Sequence, residues 1–350
     1  MASHLLSKAN DVKGTTRKVG VPPDSNGVGG ASSGKRDGKN GWESSLVVTQ
    51  RNPSSQKLTL LKSNYSIGTW NVRTLFQAGK VKNLQLEMSR LKLDILGISE
   101  TRWSGNGQID IDGYTFLYSG SNNGYHTRGV GIMINKRVKK SLLGYWPISD
   151  RIIIAKFNGQ PFDVVIIQVY APTTAHSEEE IESFYEEIEM ALKEVKSNDY
   201  LVLLGDFNAK IGQGRDGKSV GEFGLGERNE RGDRLAEFSE KHGLYISNTW
   251  FRQHPKNLYT WRAPSDGIET HKNTRNQIDF ILVKDRFHRS IQNVKTYPGA
   301  DCDSDHNPVI AKLKLKLKIP KRKSSLKMKW DTDKLLPTGN SRKVPSRDQQ

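Results

Sequence analysis

Leu201-Val202-Leu203-Leu204-Gly205-Asp206-Phe207-Asn208-Ala209 is an apolar run that stops at a glycine and delivers an acid and an amide one residue apart. The run reads as a buried strand. Polar groups just past a strand's end sit at the rim of a sheet, where open α/β sheets collect ligands and catalytic groups. The same nine residues also read as a plain turn in which Asp206 or Asn208 bonds its own backbone. Other rim residues have to decide between the two.

Working outward, Ser66-Ile67-Gly68-Thr69-Trp70 predicts a strand with Asn71 at its end. Val81, Leu84, Met88 and Leu91 then recur at helical spacing, and the next strand, residues 94–99, delivers Glu100. Residues 116–118, 130–134 and 152–157 predict strands joined by turns, with no room for crossover helices, so antiparallel pairing is expected. Residues 164–169 form a further strand closed by Tyr170-Ala171-Pro172. Ser177 and Glu180 make a capping box ahead of a helix whose buried stripe is Ile181, Phe184, Tyr185, Ile188, Leu192 and Val195. Beyond Asp206 come a glycine-rich loop (210–228), a helix carrying Leu235, Ala236 and Phe238 and ending at Gly243, and short strands at 244–247 and 258–261. A polar loop (262–276), a strand (277–283) bearing Asp279, and a last strand (308–319) follow. That last strand alternates Leu313, Leu315 and Leu317 with lysines, one face buried and one wet. The expected architecture is α/β: a two-sheet sandwich, mixed and largely antiparallel, flanked by helices.

Residues 1–62 are rich in Gly, Ser, Lys and Asn without periodicity and read as a disordered basic segment; 63–319 read as the folded domain, and 320–350 as a basic tail or linker. The net charge of +16 is carried unevenly. Residues 1–64 hold 10 basic against 4 acidic residues, and residues 319–350 hold 9 against 3, so the core is left with only +4. Basic charge therefore does not by itself make the core a nucleic-acid binder. No apolar run is long enough to span a membrane, and residues 1–14 lack a signal-peptide centre, so a soluble intracellular protein is expected. The single cysteine, Cys302, excludes an internal disulfide and reads as packing. Pro320-Lys321-Arg322-Lys323 reads as a nuclear-import or phosphate-contacting segment, or equally as a solvated linker.

Asn71, Glu100, Tyr170, Asp206, Asn208, Asp279 and Asp305-His306-Asn307-Pro308 thus all fall at or near strand ends. Each has a bland reading: Asn71 as a turn former, Tyr170 as a strand-end aromatic, Asp279 as a satisfied buried acid. Taken together they supply what phosphodiester hydrolysis needs: a Lewis-acid site, a group to deprotonate water, and donors for developing charge. A sparse oxygen site of Glu100 with Asn71 suits magnesium, with manganese as a substitute, better than zinc.

Six segments, Gly68-Thr69-Trp70-Asn71-Val72-Arg73, Ile98-Ser99-Glu100-Thr101-Arg102, Val169-Tyr170-Ala171-Pro172, Gly205-Asp206-Phe207-Asn208-Ala209, Gln277-Ile278-Asp279-Phe280-Ile281 and Ser304-Asp305-His306-Asn307-Pro308-Val309, run in one order. In these the chain resembles the endonuclease/exonuclease/phosphatase superfamily, in the AP-like endonuclease branch of non-LTR retrotransposons. More narrowly, it resembles the endonuclease part shared by RTE-type elements and the craniofacial development protein 2 group. The resemblance implies a DNase I-like fold and a magnesium-dependent enzyme that nicks duplex DNA. It assigns Glu100 to the metal, with Asn71 beside it and Asp305 as a further ligand. Asp206 would deprotonate water, Asn208 and Tyr170 would hold the phosphate, and Asp279 would keep His306 cationic. The reverse assignment, His306 as base and Asp206 as structural, stays open. Repair AP endonucleases carry Asp where this chain has Arg73 and Trp where it has Asn276, so abasic-site recognition is not implied. Phosphoinositide phosphatases carry Arg where it has Phe280, which makes a phosphatase the weaker alternative; a copy that binds nucleic acid without cutting is another. A monomer is expected, with duplex DNA held by Arg262, Lys272 and Arg275 in one rim loop and by Arg215, Lys218 and Arg228 in the other.

Overall fold

The strand Tyr200–Asp206 is buried along its whole length. Its side chains alternate between two cores, as period-two geometry requires: Val202 and Leu204 face a second sheet, whereas Leu201 and Leu203 face helices. The structure, a computed structural model, describes residues 56–59, 63–264 and 274–314. Tyr200–Asp206 lies inside a six-stranded sheet in the order Leu244–Ile246, Asp279–Lys284, Tyr200–Asp206, Val164–Tyr170, Ile152–Phe157, Leu142–Ser149. A seven-stranded sheet packs against it, in the order Ile291–Thr296, Val309–Lys314, Asn64–Asn71, Ile95–Ser99, Val130–Asn135, Tyr114–Ser119, Asn106–Ile111.

Each sheet has one parallel pair, Val164–Tyr170 with Tyr200–Asp206 and Asn64–Asn71 with Ile95–Ser99, and the rest is antiparallel. Parallel neighbours need a crossover, and the two long helices between them supply it. Helix Lys80–Arg90 covers one outer face with Leu84 and Met88. Helix Glu178–Lys193 covers the other with Ile181, Phe184, Tyr185 and Ile188, and its Ser177 hydroxyl accepts from Glu180 N at 3.4 Å. Helix Glu230–Lys241, capped by Asn229, packs beside it. The expected two-sheet sandwich with outer helices is therefore the fold observed.

The differences have physical reasons. Asn106–Ile111, Leu142–Ser149 and Ile291–Thr296 are strands that periodicity did not reveal. All three are edge strands, half-wet and poor in apolar residues or interrupted. Leu142–Ser149 contains Pro147 and shifts register beside it, which an edge strand tolerates. The strand expected at 258–261 is instead a single 3-10 turn, Pro255–Asn257, followed by a two-residue strand, Trp261–Arg262, paired with Arg275–Asn276. Leu58, placed by composition in the disordered segment, is buried between the sheets and pairs with Gly159. The last strand is described as Val309–Lys314; the leucines and lysines beyond it, the import segment and Lys272 lie outside the described residues. No described helix is long and apolar enough to cross a membrane. Cys302 is buried, and burial pushes its thiol up to about 12, in keeping with a packing role.

Gly205 sets the approach of the two parallel strands at the rim. Its φ is 154°, and a Cβ there would lie 2.0 Å from Val169 O, a backbone atom that cannot step aside. Gly205→Ala should therefore destabilise the fold by about 1–3 kcal/mol. An unchanged urea midpoint would contradict this.

Candidate active site

Backbone register brings the rim residues together. Tyr170 pairs with Asp206, and Asp206 with Asp279, so three polar side chains end one row of the six-stranded sheet. In the other sheet Asn71 pairs with Ser99, one residue before Glu100, and Ser304 Oγ donates to Asn71 O at 2.7 Å, tying the 304–308 segment to the same edge. Glu100 and Asn208 have left-handed backbones, with φ of 55° and 48°. Non-glycine residues adopt this region at a cost of order 1 kcal/mol or more, and such strain concentrates at functional sites.

Asn71 is the link between the sheets. Its Nδ2 donates to Glu100 Oε1 and to Asp206 Oδ2, each at 2.9 Å, while its Oδ1 accepts from Arg73 N at 2.9 Å. It therefore presents its amide nitrogen, not its oxygen, to the carboxylates. Tyr170 OH donates to Glu100 Oε1 at 3.1 Å. Burial, with Glu100 and Asp206 beside it, pushes the phenol well above the usual tyrosine range and keeps it a donor. Buried Arg151 supports this tyrosine by donating to its carbonyl at 3.2 Å. Asn208 N donates to Asp206 Oδ1 at 3.0 Å, and one N–H of the Asn208 amide donates to Ala171 O at 2.9 Å. The turn reading of Asp206 and the rim reading are thus both correct, since one carboxylate oxygen makes the turn and the other faces the site.

His306 Nδ1 lies 3.0 Å from Asp279 Oδ2, and its Nε2 lies 4.0 Å from Asp206 Oδ2. The second gap is too long for a hydrogen bond. Asp206, Asp279 and His306 form a cluster of potential ligand atoms. Burial and the nearby Asp279 raise the Asp206 carboxyl to about 7, against the pull of His306 and Asn71. Burial works against the charged imidazole of His306, yet Asp279, Asp206 and Asp305 outweigh it and raise the group to about 9. Between those values the pair holds a carboxylate opposite an imidazolium. Activity that needs this state should rise through about pH 7 and fall through about pH 9. A cation bound at Glu100 would move the acid limb lower. A pH–rate profile of kcat that rises monotonically through pH 9 would contradict the assignment of His306 as the cation.

Asp305 Oδ2 accepts from Trp261 Nε1 at 3.0 Å, while its Oδ1 is buried without a hydrogen bond, 3.8 Å from Arg73 Nε. Trp261 and Tyr259, expected in the core, are only half-buried; Trp261 holds Asp305 and Tyr259 lies under Arg275. Sequence reasoning also passed over Arg151, Ser304 and Trp261 as supports. Only Ser304, inside its motif, carried a signal.

The expected DNA-contacting cations separate. Arg262 is exposed, and its N–H donates to Asp305 O at 3.1 Å, which places it at the rim. Arg275 stacks over Tyr259 at 4.7 Å. Arg215 stacks over Trp250 at 5.3 Å, and Lys218 is exposed. Arg228 is committed inward, to Ile211 O at 2.9 Å and Asp216 at 2.7 Å. The glycine-rich loop that carries these last three is closed by its own backbone bonds, such as Val220 N to Asp216 O at 3.1 Å.

Two stacked sheets with a carboxylate and histidine cluster at one rim define a phosphoesterase of the DNase I-like kind. The Endonuclease/Exonuclease/phosphatase family matches residues 68–306, and the chain belongs to that family. Craniofacial development protein 2 of Bos taurus is 42% identical over 278 residues, which is 79% of this chain and 45% of that protein. The chain thus spans less than half of that relative's length. Among solved structures, the endonuclease domain of TRAS1, a telomere-specific non-LTR retrotransposon, superposes with a TM-score of 0.51 at 17% identity, over 72% of this chain and all of that one. The AP endonuclease LMAP from Leishmania major gives 0.53 at 14% identity, over 72% and 88%. These likenesses establish the fold.

Proposed function

We propose that this chain is a divalent-metal-dependent endonuclease that nicks duplex DNA and leaves a 3′-hydroxyl. The observation that carries the reading is the 4.0 Å opening between Asp206 Oδ2 and His306 Nε2, with Asp279 behind the imidazole and Glu100 joined to Asp206 through one Asn71 amide. A water in that opening would give its proton to Asp206 while its oxygen bonds to phosphorus. The bond from phosphorus to the 3′-oxygen breaks, and the leaving oxygen takes a proton from solvent. The His306 imidazolium would stabilise the charge on the pentacoordinate phosphate. Tyr170 orients Glu100, and the free N–H of Asn208 is the phosphate donor at this rim.

The donor set fits a hard cation. Glu100 and Asp305 offer carboxylate oxygens, and Asp305 Oδ1 is buried without a hydrogen bond. Magnesium or manganese would be held there rather than zinc. Bound at this edge, the ion would polarise a nonbridging phosphate oxygen. Asn71 serves this arrangement as a bridge between carboxylates. The nuclear location expected from Pro320-Lys321-Arg322-Lys323 is part of the same proposal. The chemistry is tested at the product ends: DNA nicked in magnesium should be extended directly by a DNA polymerase. Product that primes only after removal of a 3′-phosphate would refute the proposed bond cleavage.

A further inference from the structure

Beside the catalytic edge is a pocket of about 280 Å³ lined by Arg73, Thr74, Gln77, Lys80, Arg102 and Asp303. It is built from the two turns that leave the parallel strands Asn64–Asn71 and Ile95–Ser99, and Leu75 N donates to Thr101 O at 2.9 Å to hold those turns together. Arg73 and Arg102 follow Asn71 and Glu100 by two residues each, and both have left-handed backbones, φ 56° and 55°. Lys80 is spent on Asp303 and on the Cys302 carbonyl, each at 2.8 Å. The arginines are not spent. Among the described residues the Arg73 guanidinium makes no hydrogen bond, its nearest carboxylate being Asp305 at 3.8 Å. Arg102 gives one N–H to Glu100 at 3.2 Å, while its Nε is buried and unpartnered. A guanidinium has five donors in a fork that matches phosphate oxygens.

Helix Lys80–Arg90 opens at this pocket with Gly79 as its cap, no side-chain capping bond and no acid in its first turn, which leaves the anion-favouring end of the helix uncompensated. On the same turn Phe76 is half-exposed, and its ring lies 4.5 Å from His126, whose Nδ1 is 2.9 Å from Arg102 O. An apolar aromatic face therefore adjoins a paired-arginine pocket. A backbone phosphate with its nucleoside has that pattern of charge and ring.

We propose that Arg73 and Arg102 hold one backbone phosphate flanking the scissile phosphate, with the Phe76 face taking the adjoining nucleoside. The placement relative to the cut rests on the nicking reading; the phosphate site itself does not. Binding of a short DNA duplex by the full chain, followed by fluorescence anisotropy in EDTA across a salt series, separates the two. Arg73→Ala with Arg102→Ala should weaken binding about tenfold or more and flatten the salt slope by about 0.9, the value for one phosphate contact. Arg73→Lys with Arg102→Lys should keep the slope while losing part of the affinity, which distinguishes lost charge from misfolding. Phe76→Ala should weaken binding with the slope unchanged. If the arginines are only counterions to Glu100 and Asp305, the double alanine variant will bind manganese more tightly by electron paramagnetic resonance and keep the wild-type slope, and that result overturns the proposal. A protein that shows the predicted slopes yet never nicks plasmid would refute the catalytic reading and leave the phosphate site standing.

Discussion

Asp206→Asn is expected to slow duplex nicking by at least about 10²-fold at saturating protein, because it removes the one group placed to take the water's proton. The substitution is close to isosteric, and its Oδ1 can still accept from Asn208 N, as Asp206 does at 3.0 Å. Binding of duplex in EDTA should therefore persist. Burial and Asp279 raise the folded carboxyl to about 7, above its ordinary value near 3.8. A carboxyl raised on folding favours the fold at low pH and loses that contribution as pH climbs through 7. The neutral amide escapes this loss, so the thermal midpoint of Asp206→Asn at pH 8 should not fall below wild type. A variant both inactive and strongly destabilised would mean that Asp206 acts as a structural turn.

His306→Ala should cost a similar factor or more, through two effects that add. It removes the cation expected to face the phosphate. It also leaves Asp279, fully buried with Oδ1 already unpartnered, without its neighbour at 3.0 Å. With that cation gone, Asp206 becomes still harder to ionise, so whatever rate remains should peak at higher pH than in wild type. Removing one partner of a buried charged pair typically costs several kcal/mol, and a stability measurement must accompany the rate. Asp279→Asn separates the effects: His306 stays, but with less support for its charge, so the basic limb should move below about pH 9. Equal basic limbs in Asp279→Asn and wild type would detach Asp279 from the chemistry.

Much of this site was legible because its residues close strands whose interiors are apolar. Leu201 to Leu204 and Val164 to Val169 announced themselves by composition, and the parallel pairing of those strands carries Tyr170 level with Asp206. Orientation was not legible. Nothing in the residue types at Asn71 says that its nitrogen, not its oxygen, meets Glu100 and Asp206, because that depends on Arg73 N claiming the oxygen. The left-handed turns at Glu100 and Arg102 likewise come from tertiary constraint, since neither residue favours that conformation. The edge strands escaped notice for the opposite reason: Asn106–Ile111 and Ile291–Thr296 are held by neighbours they pair with, not by apolar content of their own. Arg228 looked like a DNA contact by charge and loop position, and only the fold shows it turned to Asp216 and Ile211.

The central claim, metal-dependent nicking by the Asp206 and His306 pair, is tested most directly with supercoiled plasmid. Wild-type protein in magnesium should convert it to the open circular form, EDTA should stop the conversion, and Asp206→Asn should lower its rate at least about 10²-fold. Plasmid left supercoiled by folded, DNA-binding wild-type protein, or nicked equally well by Asp206→Asn, would contradict it.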